Sequence, residues 1–324
     1  MDTVPASSGL GRLLIVDGHA YAYRAFFAIR QLNSPVTGKA TNAIYGFIKM
    51  LAKMQAAIRP SHLAVVWDGG LAAERIELLP EYKEQRAPMP DDLEQQLDQI
   101  IDYLRASEIH SFCRDGVEAD DWIATLARQA ERSGFEVIIA SSDKDFMQLV
   151  SPRIGLLNPH DKSEKIWSAA DVKNKTGVEP RQIVDWLSLI GDTVDNIPGV
   201  PGVGPKTAAD LLRQFDTLDN LLNHMSEVKS PRLRSNLEQS LDSLLRNQKL
   251  IRLKDDMTCD FSPALFTAKS EKYDDLRQLY AGWGFKTLLM ELDRKHGAAL
   301  ELFGELNVSR SETVNKTGDP TLSN

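Results

Sequence analysis

Three carboxylates stand within four positions at the start of a predicted helix: Glu118, Asp120 and Asp121. The apolar periodicity that begins at Trp122 predicts the helix, and a helix N-terminus favours one or two acids because its free N–H groups carry partial positive charge. Three acids held together need a cation, or some of them must stay protonated. This segment alone fits a helix start as well as a metal site, so acids elsewhere in the chain decide between the two.

Further acids stand where predicted strands end. Two apolar runs close with Asp17 and Asp68, and a third, at 136–140, is followed by Asp143 and Asp145. In a parallel sheet with helices on both faces, ligands bind beyond the carboxyl ends of the strands, so these side chains should meet. A single Asp after a strand is usually a turn former, but agreement at three strand ends is harder to explain by turns. The expected metal ligands are Asp17, Asp68, Glu118, Asp120, Asp121, Asp143, Asp145, Asp192 and Asp195.

The chemistry of this set predicts which ions it holds. Carboxylate oxygens without nearby His or Cys suit Mg²⁺ or Mn²⁺ and disfavour zinc. The six histidines follow no metal-site or triad spacing, and we interpret each as structural or exposed. The acids are numerous enough for two or more ions, an arrangement that cleaves phosphodiesters by activating water at one ion and stabilising the leaving oxygen at the other. The sequence therefore predicts a metal-dependent nuclease.

Strands and helices alternate over the first half of the chain. Runs of strand length are predicted at 12–17, 63–67, 109–113 and 136–140. Helices between them indicate βαβ units and predict an α/β fold with a mainly parallel sheet and helices on both faces. Further along, helices dominate. We expect an α/β core over 10–175, a helical region over 176–300 and a disordered polar tail over 301–324.

Length and composition describe an ordinary globular protein of 324 residues, 42% hydrophobic and 26% charged. No apolar run is long enough to span a membrane, and the N-terminus lacks the basic start and apolar core of a signal peptide. Cys113 and Cys259 follow no metal-ligand spacing, which indicates free thiols in a reducing compartment. The net charge of −8 argues against a nucleic-acid partner, but cations bound in an acidic pocket would cancel much of it locally.

A glycine-rich turn lies between two predicted helices, at 182–190 and 208–215. Glycines let a backbone approach a phosphate closely, and the free N–H groups at the next helix start donate to it. The residues expected to contact DNA here are Gly199, Gly202, Gly204, Lys206 and Thr207. A plain helix–helix turn remains an alternative because Pro205 suits a helix start, but Lys206 directly behind the glycines favours phosphate binding. The pattern predicts a helix–hairpin–helix that contacts DNA without reading its sequence.

Taken together, these motifs resemble the bacterial 5′-nuclease family, which comprises the 5′→3′ exonuclease domain of DNA polymerase I and its stand-alone relatives. The similarity runs in order over roughly residues 12–295. The matching segments begin at Leu14 (LIVDG), Tyr23 (YRAF), Ala43 (AIYGF), Pro80 (PEYKEQR), Gly116 (GVEADD), Ser142 (SDKD), Gly191 (GDTVDNIPGV) and Trp283 (WGFKTLL).

The resemblance implies a PIN-like nuclease core, with metals held by the acids named above and a helical arch over the active site formed by about residues 70–92. Within the arch, Tyr82, Lys83 and Arg86 are expected to act on the scissile phosphate. If the segment is helical, a separation of three puts Lys83 and Arg86 on one face, and the surrounding prolines and charges predict that it is mobile until DNA binds. DNA contacts are also expected from Arg24 and Arg75, and a K⁺ ion at the helix–hairpin–helix.

The same resemblance implies the substrates and the setting. The expected substrates are 5′ flaps, nicked or gapped duplexes and RNA-primer junctions, cut by a structure-selective 5′→3′ exonuclease and flap endonuclease in replication and repair. We expect a monomer in the cytoplasm, associated with the nucleoid and without a membrane partner. Because a polar tail follows the matching region, rather than polymerase domains, we expect a stand-alone nuclease.

Two other functions remain open at the level of sequence. One is a non-catalytic protein of the same fold that binds DNA junctions, which the complete set of acids argues against. The other is a metal-dependent phosphohydrolase for small substrates. A small substrate would need neither the hairpin nor the basic segment, so these two features favour DNA.

Overall fold

A computed structural model describes residues 11–161, 163–259 and 261–298 of the chain. The strands are β1 (Arg12–Asp17), β2 (His62–Val66), β3 (His110–Phe112), β4 (Glu136–Ala140), β5 (Ile154–Leu157), β6 (Ile166–Trp167), β7 (Gly191–Asp192) and β8 (Ile197–Pro198). The helices are α1 (Gly18–Ala28), α2 (Asn42–Ile58), α3 (Ala73–Leu78), α4 (Asp91–Ala106), α5 (Ala119–Arg132), α6 (Ala169–Thr176), α7 (Ile183–Ile190), α8 (Pro205–Phe215), α9 (Leu218–Asn223), α10 (Pro231–Gln239), α11 (Leu241–Ile251), α12 (Pro263–Phe266), α13 (Tyr273–Trp283) and α14 (286–298).

Six strands form one sheet in the order β3-β2-β1-β4-β5-β6, in which only β6 runs antiparallel to its neighbour. The central strand β1 has the sequence RLLIVD and is buried from Leu13 to Asp17. A continuous apolar run of this kind suits a parallel strand covered on both faces. The predicted α/β fold with a mainly parallel sheet is confirmed.

Alternate residues of β1 face two separate cores. Leu13 and Ile15 belong to a cluster that includes α5, whereas Leu14 and Val16 belong to a cluster that includes α1 and α2. Side chains alternate across a strand, so helices must cover both faces of the sheet to bury both sets. Because β1 pairs in parallel with both β2 and β4, the carboxyl ends of these three strands lie at one edge of the sheet.

The helical region predicted over 176–300 divides between the two faces. Helices α7 to α11 pack in the same core as α5, whereas Leu276, Trp283 and Leu288 of the last two helices pack in the core of α2 and α4. A further link is the hydrogen bond from the indole N–H of Trp283 to Gln99 Oε1, at 2.7 Å. The last helices therefore buttress the α/β core, and not the hairpin.

The tail predicted to be disordered, 301–324, lies outside the described residues. Within 11–161, 163–259 and 261–298, no helix is both long enough and apolar enough to cross a bilayer.

Candidate metal centre and nucleic-acid interface

Asp17 ends β1 and also caps α1. Its Oδ1 accepts a hydrogen bond from the N–H of Ala20 at 3.0 Å, and its Oδ2 accepts one from Ser141 Oγ at 2.8 Å. The same Ser141 Oγ accepts from the N–H of Asp143 at 3.1 Å. One hydroxyl thus joins the ends of β1 and β4, because these strands are parallel neighbours in the sheet.

Asp68 follows β2 and is held by its backbone as well as its side chain. Its N–H donates to Nδ1 of His19 at 3.1 Å, and its Oδ1 accepts from the N–H of Gly70 at 2.7 Å. A Cβ atom on the intervening Gly69 would lie 1.8 Å from the carbonyl oxygen of Arg114. The close approach of these two backbones therefore requires glycine directly after Asp68.

The Asp143–Asp145 pair begins a 3₁₀ helix that covers Lys144–Leu149. Asp143 Oδ1 accepts from the N–H of Asp145 at 2.9 Å and caps this helix. Asp145 Oδ1 is buried and has no hydrogen-bond partner among the described residues. A buried carboxylate oxygen without a donor is costly, so this atom indicates a place for a cation.

Glu118 precedes α5 as its N-cap residue and is fully buried. Its Oε1 accepts from the N–H of Ala72 at 3.2 Å, and its Oε2 accepts from Lys83 Nζ at 2.5 Å. The same Nζ lies 3.9 Å from Asp120 Oδ2 and 3.9 Å from Asp195 Oδ2. A single buried lysine therefore gathers three of the predicted ligands.

Asp121 and Arg75 form a buried pair that bears on two predictions. The Arg75 guanidinium donates to both oxygens of Asp121, at 2.9 and 2.7 Å, and to the carbonyl oxygen of Leu250 at 3.1 Å. Consecutive residues on a helix point about 100° apart, so Asp121 leaves the face that Asp120 presents. Asp121 is paired with Arg75 and does not border the cavity that the other acids line, so its role as a metal ligand stays a prediction. The prediction of Arg75 as a DNA contact is wrong, because its side chain is 5% exposed.

Asp192 and Asp195 lie on the β7–β8 hairpin that follows α7. Asp192 Oδ1 accepts from the N–H of Val194 at 3.0 Å and lies 3.1 Å from Lys144 Nζ. Asp195 Oδ1 accepts from Arg86 Nη2 at 2.6 Å. The hairpin brings both carboxylates to the edge of the sheet where the strand-end acids lie.

Six of the nine predicted ligands border one cavity of about 770 Å³: Asp17, Asp68, Asp120, Asp143, Asp192 and Asp195. Glu118 is linked to it through Lys83, whose Nζ also lies 3.9 Å from Asp120 and from Asp195, and Asp145 is linked to it through its hydrogen bond with Asp143. Separate segments of the chain supply these acids, as the strand-end argument predicts. We call this group of eight acids, without Asp121, the acidic cluster.

Burial and mutual repulsion raise the pKa of several acids in the cluster. Burial raises the pKa of Asp17 to about 6, and the charges of Asp143 and Asp68 add to the effect. The pKa values of Asp120 and Asp145 are raised well above their ordinary range by burial and then by the charge of Asp143. Glu118 differs: burial raises its pKa, but the adjacent Lys83 and Arg75 outweigh burial and lower it. The cavity therefore favours the binding of positive charge.

The residues fit hard divalent cations, since the donors are carboxylate oxygens and one of them, Asp145 Oδ1, is buried without a partner. In the part of the chain that the structure describes, no three His, Cys, Asp or Glu side chains converge closely enough to hold an ion. Lys83, Arg86 and Lys144 lie against these carboxylates instead. An ion would compete with these cations for carboxylate oxygens.

The segment predicted to form a helical arch contains one short helix, α3, and then turns. Lys83 has a φ of 58°, in the left-handed region, and lies in a turn, so the helix on which Lys83 and Arg86 would share a face does not form here. Both still meet Asp195, because the N–H of Lys83 donates to its carbonyl oxygen at 3.1 Å and Arg86 binds its carboxylate. Tyr82 and Lys83 are each 5% exposed, and Tyr82 Oη donates to Glu118 Oε2 at 3.3 Å. Tyr82 and Lys83 are thus packed in this structure, and the mobility of the segment before DNA binds stays a prediction.

The glycine-rich turn joins α7 and α8 as the helix–hairpin–helix prediction requires. Gly202 has a φ of 80°, and the Nδ2 of Asn236 donates to the carbonyl oxygen of Pro201 at 2.8 Å, which holds the tip of the turn. Gly204 caps α8, and a Cβ atom there would meet nothing within 4 Å. Lys206 is exposed on the first turn of α8. The N-terminal N–H groups and this lysine thus face a surface that a phosphate can reach.

Gly199 is required by packing within the hairpin, and its predicted contact with DNA stays a prediction. A Cβ atom at this position would lie 2.3 Å from the carbonyl carbon and oxygen of Ile190. Glycine here allows β8 to pack against the end of α7, so its presence is explained by packing within the hairpin. Thr207, also a predicted DNA contact, is half-buried on the first turn of α8.

Three residues near the cavity were not predicted as functional. His19 was interpreted as structural or exposed, yet it lines the cavity and fixes the backbone of Asp68; burial lowers its pKa. His160 lines the same cavity, and its Nδ1 lies 2.9 Å from Nη1 of Arg24, so that Arg24 is placed at the cavity as well. Lys144 stands between two predicted ligands. Its position inside an Asp-Lys-Asp motif is a sequence signal that could have identified it.

The raised pKa values predict how stability depends on pH and on metal. Asp17 has an ordinary pKa of 3.8 and a folded-state pKa of about 6, so the folded protein binds more protons between these values. Its contribution to stability is therefore present below about pH 4 and is lost as the pH rises through about 6. In EDTA, we expect the loss of this contribution to make the midpoint of thermal unfolding lower at about pH 7.5 than at about pH 5, by on the order of 3 °C.

Mn²⁺ should raise the unfolding midpoint at neutral pH, because it binds the ionised acids of the folded state. The matched variant is Asp145→Asn, which removes one repelling charge and should shrink both the pH effect and the Mn²⁺ effect. Differential scanning calorimetry measures both. A midpoint insensitive to Mn²⁺ at neutral pH would contradict the placement of cations in the acidic cluster.

Comparisons with known proteins bear on both halves of the chain. Residues 12–177 match the family model for the N-terminal, resolvase-like domain of 5′-3′ exonucleases, and residues 178–274 match the model for their C-terminal SAM fold. The 5′-3′ exonuclease of Aquifex aeolicus is 37% identical over 282 residues, which cover 87% of this chain and 95% of that protein.

DNA polymerase I of Bacillus caldotenax is 38% identical over 284 residues, covering 87% of this chain and 32% of the polymerase. The chain thus spans about a third of the length of this polymerase. Among solved structures, a complex of the bacteriophage T5 flap endonuclease with DNA and metal ions matches with a TM-score of 0.63 at 21% identity, over 87% of this chain and 98% of that chain. At this identity the structural similarity establishes the fold alone.

Proposed function

The chain belongs to the 5′-3′ exonuclease family, whose members are metal-dependent hydrolases, and from this premise we propose that it cuts 5′ flaps and 5′ ends of DNA by a two-metal mechanism. The proposed ions are Mg²⁺ or Mn²⁺. The proposed ligands are Asp17, Asp68, Glu118, Asp120, Asp143, Asp145, Asp192 and Asp195.

One observation carries this proposal. Six carboxylates from separate segments border a single cavity, and cationic side chains of Arg24, Arg86 and Lys144 border it too. Carboxylates alone would repel a phosphodiester, whereas ions bound among them, together with these cations, would attract one. A cavity that combines both kinds of group fits metal-assisted cleavage of a polyanion better than a purely structural role.

When bound, two divalent ions would activate a water molecule and stabilise the leaving oxygen of the phosphodiester. The residues of the chain position the ions and the substrate. The acidic cluster holds and spaces the ions, with Ser141 and His19 fixing Asp17 and the backbone of Asp68. Lys83 and Arg86, brought together at Asp195, supply positive charge beside the scissile phosphate. Tyr82 supports them through its hydrogen bond to Glu118.

The hairpin between α7 and α8 is proposed to hold the duplex part of the substrate through its phosphates. Gly202, Gly204, Lys206 and Thr207 would make these contacts, with a K⁺ ion bound at the turn. We expect Lys206→Ala to weaken flap binding equally across DNA sequences and to lower the slope of log affinity against log salt by about one unit. Fluorescence anisotropy over a range of salt concentrations measures both.

Lys286→Ala is the matched control for Lys206→Ala. Lys286 is also an exposed lysine on the first turn of a helix, but that helix packs on the α/β core. This control should leave affinity and slope unchanged. If Lys206→Ala leaves the salt dependence unchanged, the hairpin is a plain structural turn.

The finer biological assignments rest on this activity. We propose 5′ flaps, nicked or gapped duplexes and RNA-primer junctions as substrates, with roles in primer removal and repair. We also propose that the protein acts as a monomer in the cytoplasm, at the nucleoid. Family membership and the basic residues at the cavity and the hairpin support the DNA substrates.

Digestion of labelled flap, nicked and single-stranded DNA side by side tests the proposed function. We expect Mg²⁺-dependent cleavage of the flap near its base and release of nucleotides from the 5′ end at nicks. Binding of all three without cleavage would favour a junction-binding protein instead. Preference for a small phosphodiester over the flap would favour a small-substrate phosphohydrolase.

A further inference from the structure

Lys144 occupies an unusual position within the acidic cluster. It lies between Asp143 and Asp145 in the chain, and its Nζ lies 3.1 Å from Asp192 Oδ1 on a different segment. Its side chain is 36% exposed and lines the cavity. The turn that supplies two predicted ligands thus also supplies a cation that reaches a third.

The basic side chains that contact the acidic cluster bind two different sets of carboxylates. Lys83 and Arg86 bind Glu118 and Asp195, whereas Lys144 binds Asp192. Asp192 Oδ1 also accepts the N–H of Val194, so one oxygen takes part in two interactions. An ion that uses Asp192 must therefore displace Lys144 from this oxygen or bind beside its positive charge.

We propose that Lys144 is a positioning residue that lowers the affinity of the Asp192–Asp195 side of the cluster for a divalent cation. This inference rests on the proposed two-metal function. A positive charge a few ångströms from a ligand carboxylate repels an incoming divalent ion and competes with it for the carboxylate. The negative charge of a bound phosphodiester would offset that repulsion, so Lys144 makes tight binding of the second ion depend on DNA.

Lys144 could instead contact a phosphate directly, and the two roles give different results. A phosphate contact would change the salt dependence of DNA binding and leave metal binding without DNA unaltered. If Lys144 instead repels an ion at Asp192, removing its charge should change the affinity for metal in the absence of DNA. The affinity of the weaker of the two metal sites should change, and that of the stronger site should not.

Calorimetric titration of the full chain with Mn²⁺ in the absence of DNA tests this. The variants are Lys144→Met, which keeps the length and removes the charge, and Lys144→Arg, which keeps the charge. We expect Lys144→Met to increase the affinity of the weaker Mn²⁺ site about tenfold. A tenfold change in affinity corresponds to about 1.4 kcal/mol, which the removal of one positive charge a few ångströms from the site can supply. Lys144→Arg should titrate like the wild type.

Lys165→Met is the matched control, because Lys165 is also paired with an aspartate, Asp171, at 2.6 Å, but does not line the cavity. It should leave both Mn²⁺ affinities unchanged. If Lys144→Met also leaves both affinities unchanged while the wild type binds two ions and cuts flaps, the inference about Lys144 is overturned and the proposed function stands. If the wild type binds fewer than two ions in both the absence and the presence of flap DNA, the two-metal function itself fails.

Discussion

Replacing Asp145 with Asn is expected to lower the single-turnover rate of flap cleavage by at least about a thousandfold, while flap binding changes little. Asp145 Oδ1 is buried without a hydrogen-bond partner in the described part of the chain, and its neighbours Asp143, Asp192 and Asp195 raise its pKa after burial does. A carboxylate in these surroundings is stabilised by a cation. Loss of its charge should displace an ion and raise the barrier by several kcal/mol. Asp143→Asn should behave in the same way.

Asp121→Asn is the matched control, since Asp121 is a buried acid that does not border the cavity and whose carboxylate binds Arg75; the Arg75 guanidinium also reaches Glu118 Oε1, at 3.2 Å. It should destabilise the fold, because it weakens a buried ion pair, but the cleavage rate per folded molecule should stay near that of the wild type. Single-turnover cleavage and thermal unfolding of both variants measure the difference. Equal loss of cleavage in the two variants would show that Asp145 acts only through stability.

Replacing Lys83 with Ala is expected to cut the single-turnover rate by roughly a hundredfold, the size found for one lost transition-state donor, and to weaken flap binding less than about tenfold. Lys83 is the point at which Glu118, Asp120 and Asp195 meet, and its pKa is raised because these acids outweigh its burial. To stabilise the scissile phosphate, Nζ must exchange these carboxylates for phosphate oxygens. Charge that acts on the bond-breaking step changes the rate more than the affinity.

The structure suggests a second way in which Lys83 could act, by orienting Glu118 for a metal. Titration of the Lys83→Ala rate with Mg²⁺ separates the two. If the lysine only positions a ligand, high Mg²⁺ should restore the rate. If it acts on the phosphate, saturating Mg²⁺ should leave the rate low, and Lys83→Arg should recover part of it. A normal rate combined with weaker binding would reduce Lys83 to a steering charge.

The positions of most acids could be predicted because they follow from sheet geometry. Asp17 ends a buried strand, Asp68 and Asp143 follow shortly after one, and parallel strands end at one edge. Glu118 and Asp120 follow from a helix that begins at the same edge. Local pattern and topology together suffice for such residues, since their positions depend on elements that the sequence marks clearly.

Other residues could not be predicted, because their roles depend on partners far away in the chain. The sequence indicates an exposed base at Arg75, and only the packing of α3 against α11 places its side chain beside Asp121, 46 positions away. Lys83 adopts a left-handed backbone within a turn, which neither charge nor spacing indicates. The close contact of Gly199 with Ile190 is likewise invisible until two short strands are paired.

The most direct test of the account is the number and location of Mn²⁺ ions in crystals of the protein with an uncleaved flap, measured by anomalous scattering. Two peaks about 3.5–4 Å apart are expected within the acidic cluster, the spacing of two-metal sites. One peak should lie near Asp17 and Asp143, and the other near Asp192 and Asp195. A single peak, or peaks outside the cluster, in crystals whose protein cleaves flaps when dissolved in Mn²⁺ would contradict the two-metal centre.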